Sequence, residues 1–496
     1  MRVGDQPEPG VPAAPARPRV RWADASGPVV SASTGAEEAR RRAVLLVAVL
    51  ASFVAFLDGT VVTVALPAIT RELGGGLAVQ QWVVDGYLIT LGALILVAGS
   101  LADRIGRARS MAIGLIGFGV TSLLCALAPT AEVLIVARML QGAAGAILVP
   151  SSLALIIATV HGPAQARTIG AWTAWTGTAT IAGPVLGGLL VDAGSWRWVF
   201  ALNLLPIAVT LVLLWRLGAV ESGTRVPIDG VGAVLGVVGL GGPVFALIEQ
   251  ERLGIANPVV LSALIGGVAA LVAFVLWERR VANPMLPLSL FSSRTFSVGN
   301  VSTAFVYGAL SFGFFALGLF LQQGLGFSAT FAGLAMLPPT LLLLLLSQFA
   351  GSLSARFGPR LFMGLGPVVA GAGFLLLSGV RPPADYATQL LPGILLFGLG
   401  LAITVAPLTA TILGAVASEH SGVGSAVNNA VSRIAGLVAI AATSLVVGDR
   451  LDAEGFSRAA VATALLLFAG GLVSLLGLPR GTGEATRAAS GPSPSA

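Results

Sequence analysis

Charged residues are scarce in this 496-residue chain: Asp, Glu, Lys and Arg make up 10% of it, while 56% of the residues are hydrophobic and the mean hydropathy is +0.92. A soluble domain usually carries about 25% charged residues, so the composition argues against a soluble protein and indicates a polytopic membrane protein. Lysine is absent. Every basic residue is therefore Arg, and because the Arg residues lie in short loops between apolar runs, the net charge of +6 predicts no nucleic-acid partner.

Cysteine and histidine are nearly absent as well. The single cysteine, Cys125, excludes an intramolecular disulfide and argues against a thiolate metal site. The two histidines, His161 and His420, fall in predicted loops, where a solvated side chain is the simpler interpretation. The sequence shows no phosphate-binding loop, metal-ligand cluster or nucleophile–histidine pair. We therefore expect no enzymatic activity and no cofactor.

Long apolar runs dominate what is present, and each is long enough for a helix of roughly 20 residues to cross a membrane. Fourteen such runs lie at about 43–66, 82–102, 110–128, 133–157, 168–190, 198–217, 230–249, 258–277, 298–322, 331–351, 361–379, 388–411, 423–447 and 459–478. An even number of spans places both termini on one side of the membrane. The termini are rich in small residues and Arg, so we expect disordered tails at 1–42 and 481–496.

The distribution of Arg predicts which side that is. One set of loops holds Arg104, Arg107, Arg109, Arg167, Arg216, Arg225, Arg279, Arg280, Arg294, Arg356 and Arg360. The opposite loops hold fewer Arg residues, and several of those lie beside acids. By the positive-inside rule the first set is cytoplasmic. We therefore predict that the chain spans the cytoplasmic (inner) membrane and that both termini lie in the cytoplasm.

A short segment occurs twice, which predicts two related halves. "GSLADRIGRAR" (99–109) and "GSLSARFGPR" (351–360) share Gly-Ser-Leu, an Arg and a Gly at equal offsets. The second copy has Ala355 where the first has Asp103. Parallel repeats of a six-helix half build one large transporter fold. We place the halves at 43–217 and 291–480, with two inserted helices and their linkers at 218–290.

The first copy resembles the signature loop of the major facilitator superfamily, Gly-x-Leu-Ala-Asp-Arg-x-Gly-Arg-Lys, with Ala108 in place of the Lys. Four further segments resemble motifs of its fourteen-helix drug:proton antiporters, the EmrB/QacA-like subfamily. They are "LDGTVVTVALP" (57–67), "LIVARMLQGAAGA" (134–146), "GAWTAWTGTATIAGPVLGG" (170–188) and "GVGSAVNNAVSRIAG" (422–436). Thr63 stands where that subfamily usually has Asn, and Ala179 where it prefers Gly.

The resemblance implies an all-α membrane protein with the major facilitator fold: two six-helix bundles plus two inserted linker helices. It implies a cytoplasmic latch, formed by Gly99, Asp103, Arg104, Gly106 and Arg107, that braces the two halves while the site faces outward. It also implies an antiporter motif in the fifth helix, formed by Gly183, Pro184, Gly187 and Gly188. That motif would seal the boundary between the halves against proton leak, although ordinary close helix packing explains its glycines equally well.

Charged side chains inside the membrane cost about 2.5–3.5 kcal/mol on insertion scales and need a reason. Asp58, Asp85 and Arg138 fall in the outer part of the first bundle, where we expect them to share a proton-coupling site. Burial and a neighbouring Arg act on a carboxyl group in opposite directions, so the group can titrate when the Arg moves. The alternative is a static Asp58–Arg138 pair that holds two helices together.

Gln141, Arg433 and Glu249 are weaker candidates for substrate binding, and for Glu249 an interfacial charge is the simpler interpretation. The ninth helix carries Phe305, Phe312, Phe314 and Phe315. These rings would suit hydrophobic or cationic compounds, but we interpret most of them as facing lipid.

The motifs together favour a proton-coupled antiporter, with a proton gradient as the energy source, that exports hydrophobic or cationic drugs or antibiotics by alternating access. We expect it to be a monomer. Its partners would be the small-molecule substrate, protons and membrane lipid. An exporter dedicated to one endogenous metabolite or self-made antibiotic would have the same sequence features. A proton-coupled importer or a membrane sensor fits the fifth-helix motif less well.

Overall fold

The computed structural model describes residues 30–160, 163–218, 229–281, 284–417, 421–448 and 451–479. Within these ranges all regular structure is helical, and fourteen helices are long and apolar enough to cross a membrane. They are α1 (Val30–Leu73), α2 (Gly76–Ile105), α3 (Arg107–Ala126), α4 (Ala131–Thr159), α5 (Pro163–Ala193), α6 (Arg197–Leu217), α7 (Gly230–Leu253), α8 (Pro258–Glu278), α9 (Arg294–Gly324), α10 (Ala329–Phe357), α11 (Pro359–Leu377), α12 (Tyr386–Gly414), α13 (Ser421–Ala441) and α14 (Ala453–Gly477). The predicted number of spans is confirmed. His161, His420 and the tail segments 1–29 and 480–496 lie outside the described residues.

The first helix begins earlier than the sequence analysis expected. We placed residues 1–42 in a disordered tail, whereas α1 begins at Val30. Glu38 pairs with Arg41 at 2.7 Å and with Arg42 at 3.3 Å, three and four residues further on. Such pairs lie on one face of a helix and stabilise it by a few tenths of a kcal/mol each. Hydropathy marks where the membrane begins and carries no information about a polar extension of the same helix.

The helices form two bundles and a peripheral pair. In the first bundle α1 packs on α4, α5 and α6, and α4 also packs on α2 and α3. In the second bundle α9 packs on α13 and α14, while α12 packs on α10 and α11. The inserted helices α7 and α8 pack against each other, and α7 contacts α2 and α13. The predicted architecture of two six-helix bundles with an inserted pair is therefore confirmed.

The repeated segment has the same backbone geometry in both halves. Gly106 separates α2 from α3 with φ 93° and ψ 140°, and Gly358 separates α10 from α11 with φ 89° and ψ 142°. Only glycine reaches these angles without strain. The positions are equivalent in the repeat, so each half turns between its second and third helices in the same way.

The two halves are hydrogen-bonded to each other on the side opposite those loops. The Gln81 amide in α2 donates to the carbonyls of Ile440 and Ala441 in α13. The Gln322 amide in α9 donates to the carbonyl of Val64 in α1 at 3.1 Å. The carboxylate of Asp192, at the end of α5, accepts from the first backbone amides of α10. We call these three contacts, made by Gln81, Asp192 and Gln322, the outer contact, after the side of the membrane that the Arg distribution predicts for this end. They hold the halves together there.

Candidate functional site

One ion pair among the described residues is almost completely buried, and it lies inside the first bundle. Arg138 in α4 donates through Nη1 to Oδ2 of Asp58 in α1, at 2.5 Å. The side chains are 2% and 0% exposed. Removing two charges from water costs several kcal/mol per ion unless geometry and further hydrogen bonds compensate. The sequence analysis placed these residues together in the outer part of the first bundle, and the structure brings them into contact.

Neutral polar side chains complete the environment of the Asp58 carboxylate. Its Oδ1 accepts from Gln141 Nε2 at 3.2 Å and from Asn203 Nδ2 at 2.8 Å. Both amides also donate to Ser122 Oγ, at 2.8 and 3.3 Å. Helices α1, α3, α4 and α6 thus meet at one carboxylate. Sequence reasoning missed Asn203 and Ser122; the only signal for Asn203 was a lone amide in an apolar run.

Arg138 has partners besides the acid. Its Nε donates to the carbonyl of Val83 at 3.0 Å, and Nη1 also donates to Gln141 Oε1 at 2.6 Å. The guanidinium lies 4.4 Å from the centroid of the Tyr87 ring. Val83, Gln141 and Tyr87 thus hold Arg138 in this conformation together with Asp58.

A cavity of about 200 Å³ lies between the two bundles. Residues of α1, α2, α4 and α5 form one wall, and residues of α9, α10 and α13 form the other. Arg138 and Tyr87 line it, whereas Asp58 does not. Arg138 therefore separates the buried carboxylate from the cavity. A movement of Arg138 is what would connect Asp58 with water or ligand in that space.

Arg433 lines the same cavity from the other half. Its guanidinium lies 5.9 Å from the centroid of the Phe56 ring in α1, and its side chain is half-buried. Among the residues that the structure describes it has no hydrogen bond and no ion pair. Of the three candidates for substrate binding, Arg433 is the one that reaches the cavity.

Gln141 and Glu249 lie elsewhere. Gln141 belongs to the buried network around Asp58 and does not line the cavity. Glu249 sits near the outer end of α7, where it accepts from Trp82 Nε1 at 3.0 Å and pairs with Arg252 at 2.8 Å. It ties the inserted pair to α2, as an interfacial charge would.

Asp85 is not part of the Asp58–Arg138 cluster, where we expected it. Both of its carboxylate oxygens are buried and have no hydrogen-bond partner among the described residues. The same holds for the nearby Gln81 Oε1. At 100° per residue, Asp85 lies about 200° around α2 from Val83, whose carbonyl meets Arg138. It shares its face with Gln81 and Ile89, which contact α13 and α7.

The cytoplasmic latch is placed only in part. The backbones of Gly99 and Asp103 belong to α2, but their surroundings lie outside the described part of the chain. Arg104 is exposed, Arg107 is half-buried, and Gly106 forms the turn described above. What the Asp103 carboxylate contacts therefore stays a prediction.

The glycines of the fifth-helix motif allow two different close approaches. Gly183 and Gly187 face α1 of the same half, where an added methyl group would collide with Thr60 or Val61. Gly188 faces the other half, and a methyl group there would lie 2.6 Å from the Thr330 Cα in α10. The boundary between the halves thus depends on Gly188, while the other two glycines serve packing within the first bundle.

The phenylalanines of the ninth helix do not face lipid as a group, contrary to our expectation. Phe312 and Phe315 are buried. Phe314 and Phe315 line the central cavity, whereas Phe305 and Phe312 line a second, apolar crevice of about 750 Å³ between α9, α13 and α14. The helix is apolar on every side, so sequence alone does not show which face meets lipid.

Comparison with known proteins gives concordant results. The family model of the Major Facilitator Superfamily matches residues 48–440. The puromycin resistance protein pur8 of Streptomyces alboniger is 37% identical over 84% of this chain and 83% of its own. A methylenomycin A resistance protein of Streptomyces coelicolor is 36% identical over 84% of this chain and 88% of its own. Among solved structures, a peptide transporter POT in complex with sulfate superposes with a TM-score of 0.66 at 14% identity, covering 88% of this chain and 94% of that one.

Proposed function

The chain belongs to the major facilitator superfamily, and we propose that it exports hydrophobic small molecules, drugs or antibiotics among them, in exchange for protons. The observation that carries the proposal is the fully buried Asp58–Arg138 pair beside the cavity between the halves. Two relatives are named for resistance to puromycin and to methylenomycin A, which supports export over import. The Arg distribution supports the cytoplasmic membrane with both termini inside.

Asp58 is the proposed proton carrier. Ionised, its carboxylate accepts from Arg138, Gln141 and Asn203. A proton on Oδ2 removes the charge that attracts Arg138 and occupies the oxygen to which Arg138 donates. The two amides still reach Oδ1, so the protonated acid keeps hydrogen bonds and the bundle keeps its packing. Arginine itself does not lose its proton, which makes Arg138 the counter-charge and Asp58 the group that titrates.

Arg138 couples protonation of Asp58 to the cavity, because it contacts the Asp58 carboxylate and also lines the cavity. While Asp58 is ionised, Arg138 covers it and the cavity wall is closed. Once Asp58 is protonated, Arg138 is held by Gln141, Val83 and Tyr87 alone and can turn toward the cavity. Alternating access then needs the outer contact to open and close. A membrane potential supplies about 2.3 kcal/mol per charge per 100 mV, so one proton per cycle could drive useful accumulation.

Asp85 is a second candidate for proton binding. Its carboxyl group is buried without a partner at the point where α2 meets α7 and α13. An ionised carboxylate in that position is costly, so the group would carry its proton in this conformation. Opening of the outer contact moves α2 relative to α13, and that movement would hydrate Asp85 and release the proton.

The experiment is transport into everted membrane vesicles with an imposed pH gradient. Puromycin and methylenomycin A, the compounds named for two relatives, serve as probes, and quenching of a pH-sensitive dye reports proton movement. We expect Asp58→Asn to abolish uptake that depends on the gradient, because an amide cannot exchange a proton. The matched control is Glu454→Gln, the same change at a side chain that is 82% exposed.

A static ion pair predicts a different result. In that case Asp58→Asn lowers the thermal unfolding temperature but leaves gradient-driven uptake by the surviving folded protein at the wild-type rate. Measuring uptake per folded molecule separates the two. An exporter dedicated to one compound differs from a broad exporter in a resistance profile: the former protects against a single member of a chemically diverse panel.

A further inference from the structure

The charges that line the central cavity do not balance. Two cationic side chains, Arg138 and Arg433, line it, and no acidic side chain does among the residues that the structure describes. Arg138 is neutralised by Asp58 at 2.5 Å. Within the described part of the chain Arg433 has no comparable acidic partner, and its guanidinium lies 5.9 Å from the centroid of the Phe56 ring. The cavity thus carries one uncompensated positive charge.

The acids of the neighbouring helices do not neutralise Arg433. Asp58 is already committed to three donors. Asp85, on the face of α2 that meets α13, is fully buried, does not line the cavity and has no ion pair in the described chain. Glu249 in α7 pairs with Arg252. The described residues of α9 and α12, which also pack on α13, contain no acid.

A lone guanidinium inside a membrane protein is costly unless an anion or a set of acceptors faces it. The planar guanidinium can donate two parallel hydrogen bonds to one carboxylate, and no other side chain matches a carboxylate as well. Around it the cavity offers aromatic surface from Tyr87 and Phe314 and hydroxyl groups from Thr63 and Ser311. This combination suits an apolar, ring-containing body that ends in an acidic group.

We propose that the compounds bound in this cavity are hydrophobic anions, with a carboxylate or a group of similar acidity paired to Arg433. The inference rests on the proposed export function, whose substrate class it specifies. In the present conformation a cavity of about 200 Å³ accommodates a two-ring acid, or the acidic end of a larger molecule. Cationic compounds, the other possibility raised by the sequence, would meet a cavity of their own sign.

Binding of a matched series to the full-length protein in neutral-lipid nanodiscs tests the proposal. The probes are 2-naphthoate, 2-naphthamide and 2-naphthylmethylammonium, which share a ring system and carry charges of −1, 0 and +1. Empty nanodiscs give the correction for partitioning into lipid. We expect wild type to bind the acid most tightly. Arg433→Gln should weaken binding of the acid about tenfold or more, as for loss of a charged hydrogen bond, and should change the Kd of the amide little.

Two further variants keep the test decisive. Arg433→Lys retains the charge and should recover part of the affinity for the acid even if Arg433→Gln folds poorly. Arg279→Gln removes an exposed arginine at the end of α8 and should leave all three Kd values unchanged. Equal binding of acid and amide by wild type, tightest binding of the ammonium probe, or an acid Kd unaffected by Arg433→Gln would each overturn the proposal.

Gradient-driven transport of the same probes separates this inference from the proposed function. If wild type exports the ammonium or the amide but not the acid, export stands and the substrate class is wrong. If no compound moves with the gradient while the acid binds through Arg433, the binding site stands and the proposed function is wrong.

Discussion

Asn203 donates to the same oxygen of Asp58 that Gln141 reaches, at 2.8 Å and from a different helix. Asn203 lies in α6 between its helical segments Arg197–Ala201 and Leu204–Leu217, with φ −67° and ψ −25°. Its side chain is fully buried in the bundle. The carboxylate thereby keeps a neutral partner on one oxygen, while the other oxygen is left for Arg138 or a proton.

Replacement of Asn203 should therefore affect both stability and transport. Asn203→Ala removes hydrogen bonds to Asp58 and to Ser122, and we expect a loss of about 1–3 kcal/mol in the free energy of unfolding together with slower gradient-driven export. Thermal unfolding and vesicle uptake measure the two. Asn429→Ala is the control, because Asn429 is exposed and bonds to a backbone carbonyl of its own helix. Equal effects of the two changes would show that the buried amide has no special part.

Asp192 holds the outer contact together through charge and geometry. Its two oxygens accept from the amides of Ala329 and Thr330, at 3.2 and 2.7 Å, where α10 begins. A negative charge at the start of a helix stabilises it by up to about 1 kcal/mol. An Asn at position 192 would lose that charge and keep one of the two acceptor oxygens. Asp192→Asn should therefore let the halves separate more often at the outer side.

Labelling with a membrane-impermeant maleimide checks this. A cysteine introduced at a cavity-lining position, Thr63→Cys, should react from the outer side about fivefold faster in the Asp192→Asn background. The native Cys125 is fully buried, so it contributes little background. Glu454→Gln should leave the rate unchanged. A rate in Asp192→Asn no greater than in the parent would mean that other contacts determine the closure.

Much of the architecture could be predicted because hydropathy alone is enough to identify a membrane-spanning helix. It was harder to predict which side of each helix faces which neighbour. In a soluble protein the polar face of a helix marks its exposed side and the apolar face its buried side. Here α9 is apolar on nearly every side, and polar residues of α2 such as Gln81 and Asp85 are buried. Nothing in the sequence told which side of α2 meets α4, so Asp85 was grouped with Asp58 and Arg138 although it faces α7 and α13.

The candidate site was predicted to the extent that its residues lie in motifs. Asp58, Arg138 and Gln141 were identified because each belongs to a segment that resembles a known motif. Ser122 and Asn203 were missed, since isolated polar residues in α3 and α6 show no pattern and gain meaning only from the tertiary contact. Whether Arg433 is paired with an acid depends on the residues that face it from the other half, and sequence spacing does not reveal these.

Gly188 and Gly177 lie on the same helix but face different surroundings. A methyl group on Gly188 would come within 2.6 Å of the Thr330 Cα, whereas one on Gly177 meets nothing within 4 Å. Gly188→Ala should push α5 and α10 apart, because backbone cannot yield as a flexible side chain does. We expect impaired transport and an increased passive proton leak in vesicles, measured by decay of an imposed pH gradient.

Gly177→Ala should behave as wild type in both assays. Should Gly188→Ala leave the gradient as stable as in wild type while transport falls, the close approach would serve the conformational change rather than the seal. Gly183→Ala provides a third case. It disturbs packing against α1 within one half, so it should lower the unfolding temperature without the same rise in leak.

The two equivalent turns at Gly106 and Gly358 allow structure and function to be separated. Their ψ values of 140° and 142° lie outside the left-handed region that Asn tolerates, so both Ala and Asn are strained there, by about 1–3 kcal/mol. Gly106→Ala and Gly358→Ala should therefore lower stability to a similar degree. The control is Gly266→Ala, in the exposed middle of α8, where an added methyl group meets nothing.

Transport should respond unequally to the same two changes. Only the first copy of the repeat carries an acid, because Ala355 stands in the second where Asp103 stands in the first. If that acid acts in the cytoplasmic latch, Gly106→Ala disturbs both the turn and the latch, and export per folded molecule should fall further than in Gly358→Ala. Initial uptake rates at matched amounts of folded protein give the comparison. Equal losses would indicate that the turns are purely structural and that the asymmetry at Asp103 has no part in the transport cycle.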